Sequence, residues 1–218
     1  MITIIGTGHV FDIAEPTAFI IRNLWPGAVL VEADEPPRAG SPRIYAKAME
    51  GQAERARRNG VRAGGELASA AEAGRAVGAE VIRMDTGAAR AMEEMWAEMP
   101  LGEKARYAAS GFMDRALRRG RPVKFGAKAP ERDGAEIRRR RYPTMVRKLI
   151  DERDERMASE IEKALARHED VVAVVGDGHV DGICRILGRG DVRTVRLREL
   201  LDSEAMGRVR SAIWEGSF

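Results

Sequence analysis

A chain of 218 residues and 24.0 kDa, 44% apolar and 33% charged, is long enough for one domain that buries a sizeable core. Its net charge of +3 is too small, and its apolar fraction too high, for a disordered chain, and one cysteine, Cys184, excludes an intramolecular disulfide or a Cys-rich zinc module. The longest purely apolar run, Val171 to Val175, falls far short of the ~18 residues of a membrane span, and no basic-then-apolar leader precedes the first strand. A reducing, cytoplasmic setting with no membrane span is therefore expected.

Ile2 to Ile5 and Ala28 to Val31 are short β-rich runs without polar alternation, the pattern of strands buried on both faces of a parallel sheet. Between them Phe19, Ile20, Leu24 and Trp25 stand at helical spacing, Pro16 suits a first turn and Pro26-Gly27 ends the helix. Residues 43 to 78 predict two helices broken near Gly60 and Gly64-Gly65, followed by a strand over 80 to 84. Ala88 to Leu117 stays helical with a break at Pro100. Five of the ten methionines fall between Met84 and Met113, which predicts helix packing, with an adaptable groove or a homodimer surface as the sharper reading. Gly120 to Gly134 reads as a mobile connection. A long helix is expected after Pro143, then a strand at Val171 to Val175, a helix around Ile183 to Leu187, a strand at Val192 to Leu197 and a C-terminal helix. The whole predicts a single α/β domain over residues 1–218, a mostly parallel sheet flanked by helices, with a helical insertion at about 87–140 as a lid or dimer element.

Charge is uneven. Arg115 to Lys148 holds 13 Lys/Arg against three acids. A solvated segment is the ordinary meaning of such a run. With only Phe125 and Tyr142 as aromatics there, base stacking is poorly supported and a nucleic-acid partner is not expected.

The most informative feature is internal. ITIIGTGHVFDI at 2–13 is repeated as VAVVGDGHVDGI at 172–183, so that Gly6, Gly8, His9 and Val10 return as Gly176, Gly178, His179 and Val180. Two of the chain's three histidines thus occupy one position of one strand-turn element. Residues just past parallel strands line the crevice where open α/β sheets bind ligands, which places His9 and His179 at a common cleft. Glu32 follows the second strand and Asp85 the third. Two histidines and a carboxylate suit a catalytic divalent metal of the zinc, manganese or cobalt class, held by His9, His179 and Glu32. They equally suit a metal-free site in which one histidine is the general base and a carboxylate fixes its tautomer. Asp85, before Thr86-Gly87, reads as evenly as a helix cap. A dinucleotide site would want a third glycine where Phe11 and Asp181 stand, and it gives the repeated histidine no role.

After Pro143, Val146, Ile150, Met157, Ile161 and Leu165 form an apolar stripe that Arg153 interrupts. A guanidinium on a buried face needs a carboxylate or an anionic ligand, so Arg153 is expected to bind a substrate carboxylate, steady an oxyanion or pair with Glu32. Its neighbour Glu152 is a further catalytic candidate. Asp154 and Glu155 read as solvated charges, His168 as a surface histidine near a helix end, and Cys184 as a small packed residue.

The two GxGHV elements, VEAD at 31–34, GAEVIRMD at 78–85 and ERDERMASEI at 152–161 together resemble the TraB/PrgY family, and more widely the superfamily of Tiki proteases, ChaN-like proteins and erythromycin esterases. The resemblance implies site positions at His9, Glu32 and His179 with Arg153 close behind, and a hydrolase acting on a peptide or amide substrate. Tiki relatives need a metal, the esterase relatives use their histidine without one, and ChaN-like relatives bind haem. Metal-dependent hydrolysis is the expectation, a non-catalytic cleft for haem or another anionic ligand the alternative, with Gly6, Gly8, Gly176 and Gly178 shaping the cofactor turns.

Overall fold

The computed structural model describes residues 1–32, 37, 40, 42–117 and 131–218. Five strands form one all-parallel sheet: β1 (Ile2–Thr7), β2 (Ala28–Glu32), β3 (Glu80–Met84), β4 (Val171–Gly176) and β5 (Val192–Val195), in the order β3-β2-β4-β1-β5. The central three are buried almost throughout, as their unalternating apolar runs require. Alternate residues supply two cores, one on each face. Val29, Val31, Ile5 and Val174 pack on the face covered by α1 (Ala14–Leu24) and α3 (Gly65–Ala76), and Ala28, Leu30, Ile4 and Val175 pack on the other. That second face is covered by α8 (Glu152–Leu165) and α9 (Val180–Leu187).

Between α1 and α3 runs α2 (Arg43–Arg58), and between β3 and α8 come α4 (Ala88–Glu98), α5 (Leu101–Leu117), α6 (Glu131–Arg141) and the short α7 (Pro143–Val146). The break at Pro100 falls where the sequence places it. Most of the expected mobile connection at 120–134 lies outside the described residues, as do Ala33 and Asp34 of the VEAD segment. The long helix after Pro143 is interrupted: Arg147–Asp151 form a π-type turn that joins α7 to α8. Such a turn widens the ladder and changes which face the following residues present. The last strand ends at Val195, two residues early. The Arg196 N–H donates to the Glu199 carboxylate at 2.8 Å and opens α10 (Leu197–Leu201), which α11 (Ser203–Trp214) follows.

Much of the described basic segment is neutralised by partners. Arg139 grips Asp151 through two bonds of 2.6 and 2.7 Å, Arg147 meets Glu98 and Glu152, and the buried Lys148 lies among Glu94, Glu98 and Glu152. No helix among the described residues is long and apolar enough to cross a membrane.

Candidate active site

Parallel strands bring their C-terminal ends to one edge, and there the sequence's candidates meet. Glu32, the last residue of β2, is buried and bound on both oxygens. Arg153 Nη2 donates to Oε1 at 2.5 Å, and the Gly176 N–H, at the end of the neighbouring β4, donates to Oε2 at 2.7 Å. Burial opposes ionisation of this carboxyl, but Arg153, His179, His9 and the Gly176 N–H together outweigh it and hold Glu32 at about 2. Arg153 Nε donates to Asp85, which also accepts from Arg156 Nε at 3.2 Å. Burial works against the guanidinium, and the two carboxylates prevail, raising its pKa. Asp85 follows β3 with a left-handed φ of 55°, a conformation tolerated better by Asp than by most residues. Its side chain is completely buried and bound to two arginines, so it is a structural clamp on Arg153 and not the helix cap also expected of it, since α4 begins at Ala88 with Gly87 as N-cap and no side chain capping it.

Each histidine is anchored by a carboxylate. His179 Nδ1 lies 2.6 Å from Asp154 Oδ1, and His9 Nδ1 lies 2.5 Å from Glu66 Oε1. Both carboxylates are buried, and so is His179. Burial dominates at Asp154 and raises its pKa despite the histidine. Such a contact fixes the tautomer and leaves Nε2 as the ring atom that does chemistry. His179 Nε2 makes no hydrogen bond among the described residues.

The repeat explains why two different helices supply these anchors. In sequence Gly6 corresponds to Gly176, but in the sheet Thr7 stands beside Gly176 and Gly6 beside Val175. This offset of one residue sends corresponding side chains to opposite faces, because strand side chains alternate. Thus Ile5 packs with α1 and α3, while its counterpart Val175 packs with α8 and α9. His9 accordingly finds Glu66 in the first turn of α3, and His179 finds Asp154 on α8. Glu32 lies close enough to both rings to feel their charge.

Both anchoring carboxylates escape a first reading of the sequence, yet each leaves a trace. Asp154 sits on the same stripe as Ile150, Met157 and Ile161, and its expected exposure is corrected to 1%. Opposite it stands Gly182 of α9, where a Cβ would overlap the Asp154 carboxylate. Glu66 likewise shares a buried row with Ala70 and Ala73. Glu152, by contrast, is drawn into the Arg147 and Lys148 network rather than to Glu32. Two of the motif glycines have packing reasons. Gly6 lies inside β1 against the Asp177 carboxylate and Val180, and Gly8 faces Phe11 and Leu197. Gly176 contributes its N–H to Glu32, while Gly178 has open space around its α-carbon. Asp177 ties the turn to the strand edge: it accepts from Arg196 Nε and from the Leu197 N–H, each at 2.9 Å. His168 pairs with Glu80 at 2.7 Å near the end of α8, and Cys184 packs at the edge of a core.

Among the described residues no group of three His, Cys, Asp or Glu side chains stands at spacing for a metal ion. The arrangement defines an open α/β protein whose site lies at the C-terminal edge of a parallel sheet, with charged groups contributed from both helical layers. A model of the TraB/PrgY/gumN family matches residues 41–189, more than half of the chain, and the chain belongs to that family. The matched span contains Glu66, Asp85, Arg153, Asp154 and His179 and begins after His9 and Glu32. No curated protein matches the chain.

Proposed function

We propose that this protein is a hydrolase of peptide or amide bonds, with His9 and His179 as the ligands of a divalent metal ion. The observation that carries the reading is the pair of histidines, each held at Nδ1 by a buried carboxylate and both near enough to the ionised Glu32 to help lower its pKa. Histidines that ligate through Nε2 have this carboxylate support at Nδ1, so the donor chemistry fits the ion. When bound, such an ion would supply polarisation of the scissile carbonyl and activation of water.

The chain's own groups take the remaining work. A carboxylate held at about 2 is a weak base at neutral pH, so Glu32 serves as a fixed negative charge for the histidines and Arg153 rather than as the proton carrier. Arg153 is locked by Glu32 and Asp85 through Nη2 and Nε, and its Nη1 makes no hydrogen bond among the described residues. That N–H group is the donor available to a developing oxyanion.

A second reading is metal-free hydrolysis, favoured by the occupation of both Glu32 oxygens. In it His179, oriented by Asp154, removes a proton from water, and Arg153 again donates to the developing oxyanion. Elemental analysis of the purified protein after incubation with zinc, manganese and cobalt, beside His9→Ala and His179→Ala, separates the two. Near-stoichiometric metal lost in both folded variants, together with loss of peptide turnover, supports the metal reading. Turnover that survives full chelation yet disappears in His179→Ala supports the second. Undiminished turnover in His179→Ala refutes both.

A further inference from the structure

Beside Glu32 the structure contains a second feature that the histidine site does not use, a cavity of about 500 Å³ on the α3 face of the sheet. Its size is that of a small-molecule or side-chain pocket. The floor is apolar, built from Val31 and Val81 of the strands and Leu67 and Ala71 of α3, with Met49 and Ala53 of α2 opposite. Around it stand Arg62, Arg75 and Arg83, all exposed. None of these three guanidinium groups has an ion pair or a side-chain hydrogen bond among the described residues. Glu72 completes the charged lining and has no ion pair with the arginines either; Glu32 reaches the rim, but its carboxylate is turned to Arg153 of α8 on the other face.

We infer that this cavity is the binding pocket for the C-terminal end of a peptide whose last side chain is apolar and whose terminal carboxylate is free. Three guanidinium groups without a protein partner among the described residues make a site for an anion, since each offers a planar fork that fits a carboxylate. The floor gives an apolar side chain a place out of water. The Glu72 carboxylate decides between ligands that share an anionic end and an apolar body: a fatty acid has no N–H to offer it, whereas a peptide has one per residue. Gly64, which lines this cavity, donates its N–H to the His9 carbonyl at 3.3 Å, so a peptide anchored here runs toward His9. Cleavage near the C-terminus then follows if the hydrolase reading holds. Binding itself does not depend on that reading.

The experiment measures binding, by calorimetry, to metal-stripped His179→Ala protein, so that hydrolysis plays no part. The probes are N-acetyl-Leu-Leu as the free acid, the same dipeptide as its C-terminal amide, and decanoate. The free acid should bind at least tenfold more tightly than the amide. Arg75→Gln with Arg83→Gln, on exposed side chains that leave the fold intact, should erase that preference. Filling the floor with Ala71→Leu should weaken the acid without restoring the amide. Equal affinity of acid and amide, or an acid preference untouched by the double arginine variant, overturns the inference. Decanoate binding more tightly than the dipeptide acid overturns the choice of a peptide. If the pocket binds as expected and wild-type protein cleaves no peptide, the hydrolase reading fails alone.

Discussion

Arg153→Met keeps the length of the side-chain stem and removes the charge that Glu32 and Asp85 share. Those two carboxylates have side chains only 6% and 0% exposed, so the variant leaves two buried anions, one deprived of Arg153 and the other keeping only Arg156. Removing one partner of a buried pair costs ~3–5 kcal/mol. The carboxyl of Glu32 gives a second route to the magnitude: it is held at about 2 against an ordinary value of 4.5. At ~1.4 kcal/mol per pKa unit this gap corresponds to about 3 kcal/mol, contributed by Arg153, the histidines and the Gly176 N–H against burial. Since the folded value lies below the unfolded one, that stability is complete above about pH 4.5 and is lost as pH falls through about 2. Urea unfolding of chelator-treated protein, followed by circular dichroism, should therefore show a deficit of about 3 kcal/mol for the variant at pH 7. The deficit should narrow as pH drops below about 4.5. A variant as stable as the parent at pH 7, or a deficit that does not change with acidification, would show that the guanidinium does not hold these carboxylates.

Gly182→Ala should act on the site through Asp154, because its methyl group would overlap that carboxylate. The expected result is a loss of metal affinity or turnover comparable to Asp154→Asn, ~10- to 100-fold, and a Gly182→Ala protein with parental activity would refute the contact. His9→Ala and Glu66→Gln should both lower activity in proteins that still unfold cooperatively, with Glu66→Gln the milder because an amide can still meet Nδ1; similar activity in all three proteins would remove His9 from the site. Asp177→Ala should cost ~1–3 kcal/mol by leaving the Leu197 N–H without its acceptor and Arg196 with only Asp181 and the residue-177 carbonyl, and a change within error in thermal unfolding would count against the latch.

What the sequence could determine is what repeats with the period of its own elements. Unalternating runs at 2–5, 28–31 and 171–175 announced buried parallel strands, and the matching GxGHV segments announced that His9 and His179 follow two of them. Arg153 on an apolar stripe announced a buried charge in need of a carboxylate, and Glu32 and Asp85 supply it. Asp154 carries the same signal but reads as an exposed helix charge, because a lone carboxylate beside other charges looks solvated until its partner is known.

Strand order and register belong to the tertiary structure alone. Placing β4 between β1 and β2 puts the second histidine beside Glu32, and no local pattern encodes which strands become neighbours. The offset of one residue between the two copies is equally invisible, yet it turns one copy toward α3 and the other toward α8. Side-chain alternation in a strand makes that single residue decisive: it gives His9 and His179 carboxylate partners from opposite layers of the fold.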